Sequence, residues 1–287
     1  MTRYTKRSAV ASLAFVIACV GGMPSAHARQ GAGHVKPGIT VLLADSAALI
    51  DGKRVGLLTN QSGVNEKGTS DIDLISSRQK TRAGSGPTLT ALFSPEHGIR
   101  GTEDRTNLSN GRDERTGVPV YSLYGATTVA PPDSALKSID VLVINLQDLG
   151  ARPWTYVASM VYAMRAAVQA HVPVVVLDRP NPAGRPVEGL TLRPGWESFV
   201  GAGPMPMRHG LTLGELGLWF IDLLKLDVDY RVIEMEGWRP DEAPGHGWPL
   251  GERPWVNPSP NAANLWMARA YAGTVMLEEV KRRENSL

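Results

Sequence analysis

The sequence predicts an α/β fold: a Rossmann-like, mostly parallel sheet with helices on both faces. Two observations carry this. The runs at 54–59, 89–93, 141–146 and 174–177 are almost wholly apolar, the pattern of strands buried on both faces. The segments between them are too long for hairpin turns and several carry helical signals, and crossovers of that kind join parallel strands. With 287 residues, the chain has room for one large or two smaller domains.

The elements follow in order. Arg3, Lys6 and Arg7, then an apolar run over 10–20, then Ala26-His27-Ala28, form the charged, apolar and small-residue parts of an export signal. This predicts a signal peptide over 1–28, a mature start at Arg29, and a secreted or periplasmic protein. Lipidation at Cys19 is the alternative, since residues 16–19 resemble a lipobox. The run is too short for a stable membrane span. Cys19 is the sole cysteine, so a mature chain lacks disulfides, thiolate metal sites and a cysteine nucleophile.

A polar linker is expected over 30–38. A strand follows at 54–59, then a short helix over 71–77 capped by Thr69 or Ser70. Strand 89–93 comes next, then a short helix over 133–138 after Pro131-Pro132, and strand 141–146. Val157, Met160, Val161, Met164, Ala167 and Val168 repeat at helical spacing, predicting an amphipathic helix over 155–170. Strand 174–177 follows. Thr212 and Glu215 form a capping box opening a helix to about 226, and a last strand covers 231–235. From 237 to 260 Pro, Gly and Trp dominate, as in an ordered loop or lid. A net charge of +2 and the absence of any long Lys/Arg run argue against nucleic-acid binding.

Three apolar strands exit into polar clusters: Ser94 to Arg100, Gln147 to Tyr156, and Asp178 to Pro182. Parallel strands share one carboxyl edge, and ligands bind just outside it. The three clusters therefore predict one pocket.

The motifs at 93–101 (FSPEHGIRG), 121–125 (YSLYG), 147–156 (QDLGARPWTY), 178–182 (DRPNP), 187–189 (VEG), 198–201 (SFVG), 207–215 (MRHGLTLGE) and 258–261 (PSPN) resemble the family of exo-acting β-N-acetylmuramidases. The resemblance implies a secreted glycosidase that removes terminal N-acetylmuramic acid from peptidoglycan-derived muramyl saccharides. It implies a Rossmann-like domain, placed at 29–236, joined to a smaller one. Residues 237–287 would then be its Pro/Trp-rich start, ending early. Asn145, Pro153-Trp154 and the 183–185 turn depart from the family pattern.

Glycoside hydrolysis needs a proton donor and a group that stabilises an oxocarbenium-like centre. Glu96 is the expected acid, with an ion pair to Arg100 as its alternative use. Asp148 is the expected base, nucleophile or orienter of a substrate acetamido group, with helix capping as its alternative. Arg100, Arg152, Arg179 and Arg208 are candidates for the lactyl carboxylate, because guanidinium binds carboxylate in a bidentate way. His97, Gln147, Asn181 and His209 are candidates for sugar hydroxyls or the amide. Trp154, Tyr156, Trp248 and Trp255 are candidates for stacking on sugar faces. No cofactor and no metal are expected: His97, Asp148, Asp178 and His209 supply ligand types without a metal-binding spacing. A metal-dependent deacetylase and a non-catalytic glycan-binding protein remain the competing readings.

Overall fold

The structure, a computed structural model, describes residues 35–82, 84–100, 109–125, 129–241 and 255–277. The predicted signal segment, Trp248 and the tail from 278 lie outside the described residues. A seven-stranded sheet forms the centre, built of β1 (Arg54–Thr59), β2 (Thr88–Ser94), β3 (Gly111–Arg112), β4 (Pro119–Ser122), β5 (Val141–Asn145), β6 (Val174–Leu177) and β7 (Tyr230–Ile233). Its order is β3-β4-β2-β1-β5-β6-β7, and every pair is parallel except the short β3 against β4. Counting the parallel strands in chain order, this is 3-2-1-4-5-6, the doubly wound order whose switch point lies beside the first strand. Here that crevice lies between β1 and β5.

The side-chain alternation of each strand divides the core in two. Val55, Leu57, Val141, Val143, Val175 and Leu177 face α1 (Gly38–Asp45) and α2 (Asp71–Thr81). Leu58, Leu142, Ile144, Val174 and Val176 face α3 (Asp133–Leu136), α4 (Thr155–Ala170) and α5 (Leu213–Leu224), with residues of α6 (Leu265–Thr274) joining the same cluster. A bulge in β2 shifts its register, pairing Val55 with Leu89 but Gly56 with Ala91. Leu89 and Ala91, two apart, therefore face opposite cores. No helix among the described residues is long and apolar enough to cross a membrane.

Six elements fall close to their predicted limits: β1, β2, β5, α4, β6, and α5 with both halves of its capping box formed. The strand at β7 starts one residue earlier than predicted and ends at Ile233. Helix α2 runs four residues past its predicted end, to Thr81, and Ser70 occupies the cap position without a side-chain bond. The expected linker is not loose where it is described. Val35, Pro37 and Gly38 are buried, and Lys36 pairs with Glu236 at 2.8 Å. Gly38 opens α1 against β6; a Cβ there would sit 2.5 Å from the Asp178 amide nitrogen.

Candidate active site

All the parallel strands end at one edge, so the predicted clusters meet there. Glu96 follows β2, Asp148 follows β5, and Arg179 and Asn181 follow β6. Strand β1 separates β2 from β5, so the first two exits stand about 10 Å apart, two strand spacings.

The β2 exit is a tight turn closed by the Gly98 amide donating to the Pro95 carbonyl at 3.3 Å. His97 sits in it at φ 71°. Left-handed backbone costs a non-glycine residue about 1–2 kcal/mol, and such strain collects at functional sites. The turn presents Glu96 half-buried. Its Oε2 accepts from the Thr155 hydroxyl at 2.8 Å, at the first turn of α4. Its Oε1 takes no hydrogen bond among the described residues. Arg100 does not pair with Glu96; it donates to Asp113 at 2.7 Å. Burial pushes the Asp113 carboxyl up, but bonds from Thr116 and Arg100 outweigh it and hold the group below its ordinary range.

The β1 exit contributes a residue that sequence reasoning missed. Asn60 accepts from the Ser62 amide and hydroxyl, at 3.0 and 2.6 Å, and donates to the Tyr156 hydroxyl at 2.6 Å. Tyr156 in turn donates to the Pro258 carbonyl at 2.7 Å. Burial, then the Glu96 charge, push this phenol well above its ordinary range. Tyr156 is wholly buried and ties β1, α4 and the 255–262 segment together. Trp154 is buried beside it, its rings 4.9 Å from Tyr156 and 5.4 Å from Tyr271.

At the β5 exit Asp148 is buried. Its Oδ2 accepts from the Gly150 amide at 2.6 Å and lies 3.3 Å from His209 Nε2, off hydrogen-bond alignment. Its Oδ1 is buried without a partner. The Leu211 amide donates to His209 Nδ1 at 3.3 Å, so the ring proton belongs on Nε2, facing Asp148. Trp154, not Asp148, occupies the cap position of α4. Gly150 has φ 76°, and a Cβ there would meet Asn181 Oδ1 at 2.3 Å. Only glycine lets the β5 and β6 exits approach this closely.

A buried polar network underlies these exits. Arg179 donates to the Val64 carbonyl at 2.7 Å and to Gln147 Oε1 at 3.1 Å. Gln147 donates to the carbonyls of Asp148 and Pro180, at 2.8 and 2.9 Å. Asn181 donates to the Leu211 carbonyl at 2.8 Å and accepts from the Ala183 amide. Asp178 caps α5 through the Gly214 amide at 3.0 Å; burial pushes its carboxyl up to about 6. Arg152 donates to the carbonyls of Leu190 and Met205, at 2.7 and 2.8 Å. Arg208 pairs with Glu188 and donates to the Ala183 carbonyl. Trp255 donates to the Ala262 carbonyl at 2.7 Å and is half-buried. No group of three or more His, Asp or Glu side chains suited to a metal ion occurs among the described residues. A small hollow beside Leu49, Lys53 and Val141 lies at the opposite, amino edge of the sheet and gathers none of these residues.

Residues 55–266 match the family model described as exo-β-N-acetylmuramidase NamZ, N-terminal. The chain belongs to the NamZ family. Peptidoglycan β-N-acetylmuramidase NamZ of Bacillus subtilis strain 168 is 40% identical over 246 residues, covering 85% of this chain and 57% of that protein. Two crystal structures of DUF1343-family proteins from Bacteroides fragilis NCTC 9343 share the fold. One has TM-score 0.75 at 37% identity, covering 86% of this chain and 60% of the other; the second has 0.69 at 30%, covering 85% and 62%. The chain thus spans less than two thirds of the length of these relatives. The matched region runs from β1 into α6 and contains Glu96, Asp148, Arg179 and His209.

Proposed function

We propose that this chain is an exo-acting glycoside hydrolase that releases terminal N-acetylmuramic acid from peptidoglycan fragments. The observation that carries the proposal is Glu96. It is half-buried at the carboxyl edge, one oxygen held by Thr155 and the other without a hydrogen bond among the described residues. Held as an acceptor, Oε2 leaves Oε1 to carry the proton and donate it to the leaving oxygen. Across the crevice, Asp148 and His209 form a buried polar pair beside the β5 exit. The free Asp148 Oδ1 is the acceptor suited to orient a substrate acetamido N–H or an attacking water. The name of the Bacillus subtilis relative supports this substrate class. The charged and apolar pattern of residues 1–28 supports export to the cell envelope, with cleavage after Ala28, or lipidation at Cys19 as the alternative.

The test is release of a chromogenic alcohol from a β-N-acetylmuramide. The chain should turn it over, and Glu96→Gln should lower kcat roughly 10²–10⁴-fold, the usual loss for a general acid. A folded chain with no release, or a Glu96→Gln variant with unchanged rate on a poor leaving group, refutes the assignment.

A further inference from the structure

The arginines that the sequence offers for the lactyl carboxylate are all engaged within the fold. Arg100 serves Asp113, Arg208 serves Glu188, Arg152 serves two backbone carbonyls, and Arg179 serves Val64 and Gln147. Arg269, on α6, differs. Its Nε donates to the Pro182 carbonyl at 3.0 Å, which anchors it to the loop following Asn181 at the carboxyl edge. Its Nη2 is buried and has no partner, and no carboxylate pairs with it among the described residues. Burial alone holds this guanidinium below its ordinary range. The indole of Trp266 lies over it, 5.3 Å from ring centroid to guanidinium carbon, and is 65% exposed.

A buried guanidinium nitrogen without an acceptor is costly, and an arriving anion removes that cost. The Nη1–Nη2 edge, which the Nε contact does not use and which Trp266 covers, has the spacing of a carboxylate's two oxygens. We infer that Arg269 is the carboxylate receptor of the site and selects substrates bearing a lactyl ether. Trp266 covers the receptor when it is empty and swings outward, into solvent it already faces, when the anion enters. This inference rests on the glycosidase reading above and adds the residue that separates muramyl from glucosaminyl sugars.

Calorimetric titration with N-acetylmuramic acid and with N-acetylglucosamine tests it directly. The unmodified chain should prefer the muramyl sugar by roughly ten- to a hundredfold, the worth of one charge-assisted bidentate contact. Arg269→Gln should bind both sugars alike, with glucosaminyl affinity unchanged. Should Arg269→Gln lose its circular-dichroism signature, Arg269→Lys decides instead: it keeps the charge, loses the planar edge, and should lose most of the preference. A preference retained by the folded variant overturns the inference. Equal binding by an unmodified chain that still cleaves the muramide overturns it too, and leaves the glycosidase reading standing. A chain that neither binds nor cleaves overturns both.

Discussion

Asp71→Asn should flatten the pH dependence of folding stability. Asp71 is wholly buried at the start of α2. Burial pushes its carboxyl up to about 7, from 3.8 for a free aspartate, against hydrogen bonds from Thr59, Ile72 and Asn145 and the nearby Arg179 charge. The folded chain therefore holds a proton that the unfolded chain releases between about pH 4 and pH 7. Its stabilising effect is fully present below the unfolded value and is lost as pH rises to the folded one. Each pH unit is worth ~1.4 kcal/mol, so a window of about three units is worth ~4 kcal/mol. Asp178, raised to about 6 by its own burial, adds a second slope that ends about one unit earlier.

Asparagine has the same shape and no charge. Its carbonyl keeps the Ile72 amide, which donates to Asp71 at 2.7 Å. Its amide can donate to Thr59 Oγ1, freeing that hydroxyl for the Asn145 carbonyl at 3.1 Å. Urea unfolding at steps between about pH 4 and pH 8 measures the outcome. The variant's advantage should grow by ~1.4 kcal/mol per pH unit to about pH 7 and then level off. A constant difference across the range would refute the argument, because changes in packing or hydrogen bonding alone do not titrate.

Two further perturbations address the site. Thr155→Val removes the donor to Glu96 Oε2 and should lower kcat on the muramide about tenfold, the worth of one hydrogen bond to a charged group. KM and the thermal midpoint should hold, Thr155→Ser should restore the rate, and an unchanged kcat would show that Glu96 needs no such support. Gly150→Ala forces a left-handed backbone and a 2.3 Å approach to Asn181. It should cost at least ~2 kcal/mol of stability, read as a fall in the denaturation midpoint; a neutral effect would mean that the β5 and β6 exits are not locked together.

Legibility in the sequence followed burial. Strand β6 (Val174–Leu177) and helix α4 (Thr155–Ala170) were legible because apolar pattern and element coincide, with a proline just before each and His171 or Asp178 just after. Helix α1 (Gly38–Asp45) was missed: it is apolar on nearly every side and opens on Gly38 after Pro37, so no periodicity marks it. Strand β4 (Pro119–Ser122) is short, half-buried and opens with proline, as strands near a sheet edge do. Helix α6 hides within a Pro- and Trp-rich stretch, although Asn264 caps it through the Met267 amide.

At the site, the exits of β2, β5 and β6 announced themselves by charge. The β1 exit, with Asn60 and Ser62, carries none and passed unnoticed. Looking for polar residues at every strand end, not charged ones alone, would have found it. The use of each arginine was illegible for a different reason. Arg152 and Arg179 bind backbone carbonyls of Leu190, Met205 and Val64, and any sequence supplies carbonyls. Only the folded chain shows which ones converge.

The Tyr156 hydroxyl has one further consequence, for the chain as it is made. Its donor, Asn60, precedes it by 96 residues, while its acceptor, the Pro258 carbonyl, follows it by 102. A ribosome therefore delivers the sheet, Glu96 and Asp148 well before the carbonyl that satisfies this buried phenol. Until then the hydroxyl has Asn60 as its donor and only the Glu96 carbonyl, at 3.5 Å, as an acceptor within the protein. The polar tie beneath Glu96 is therefore completed late in synthesis, when nearly all of the described chain is out.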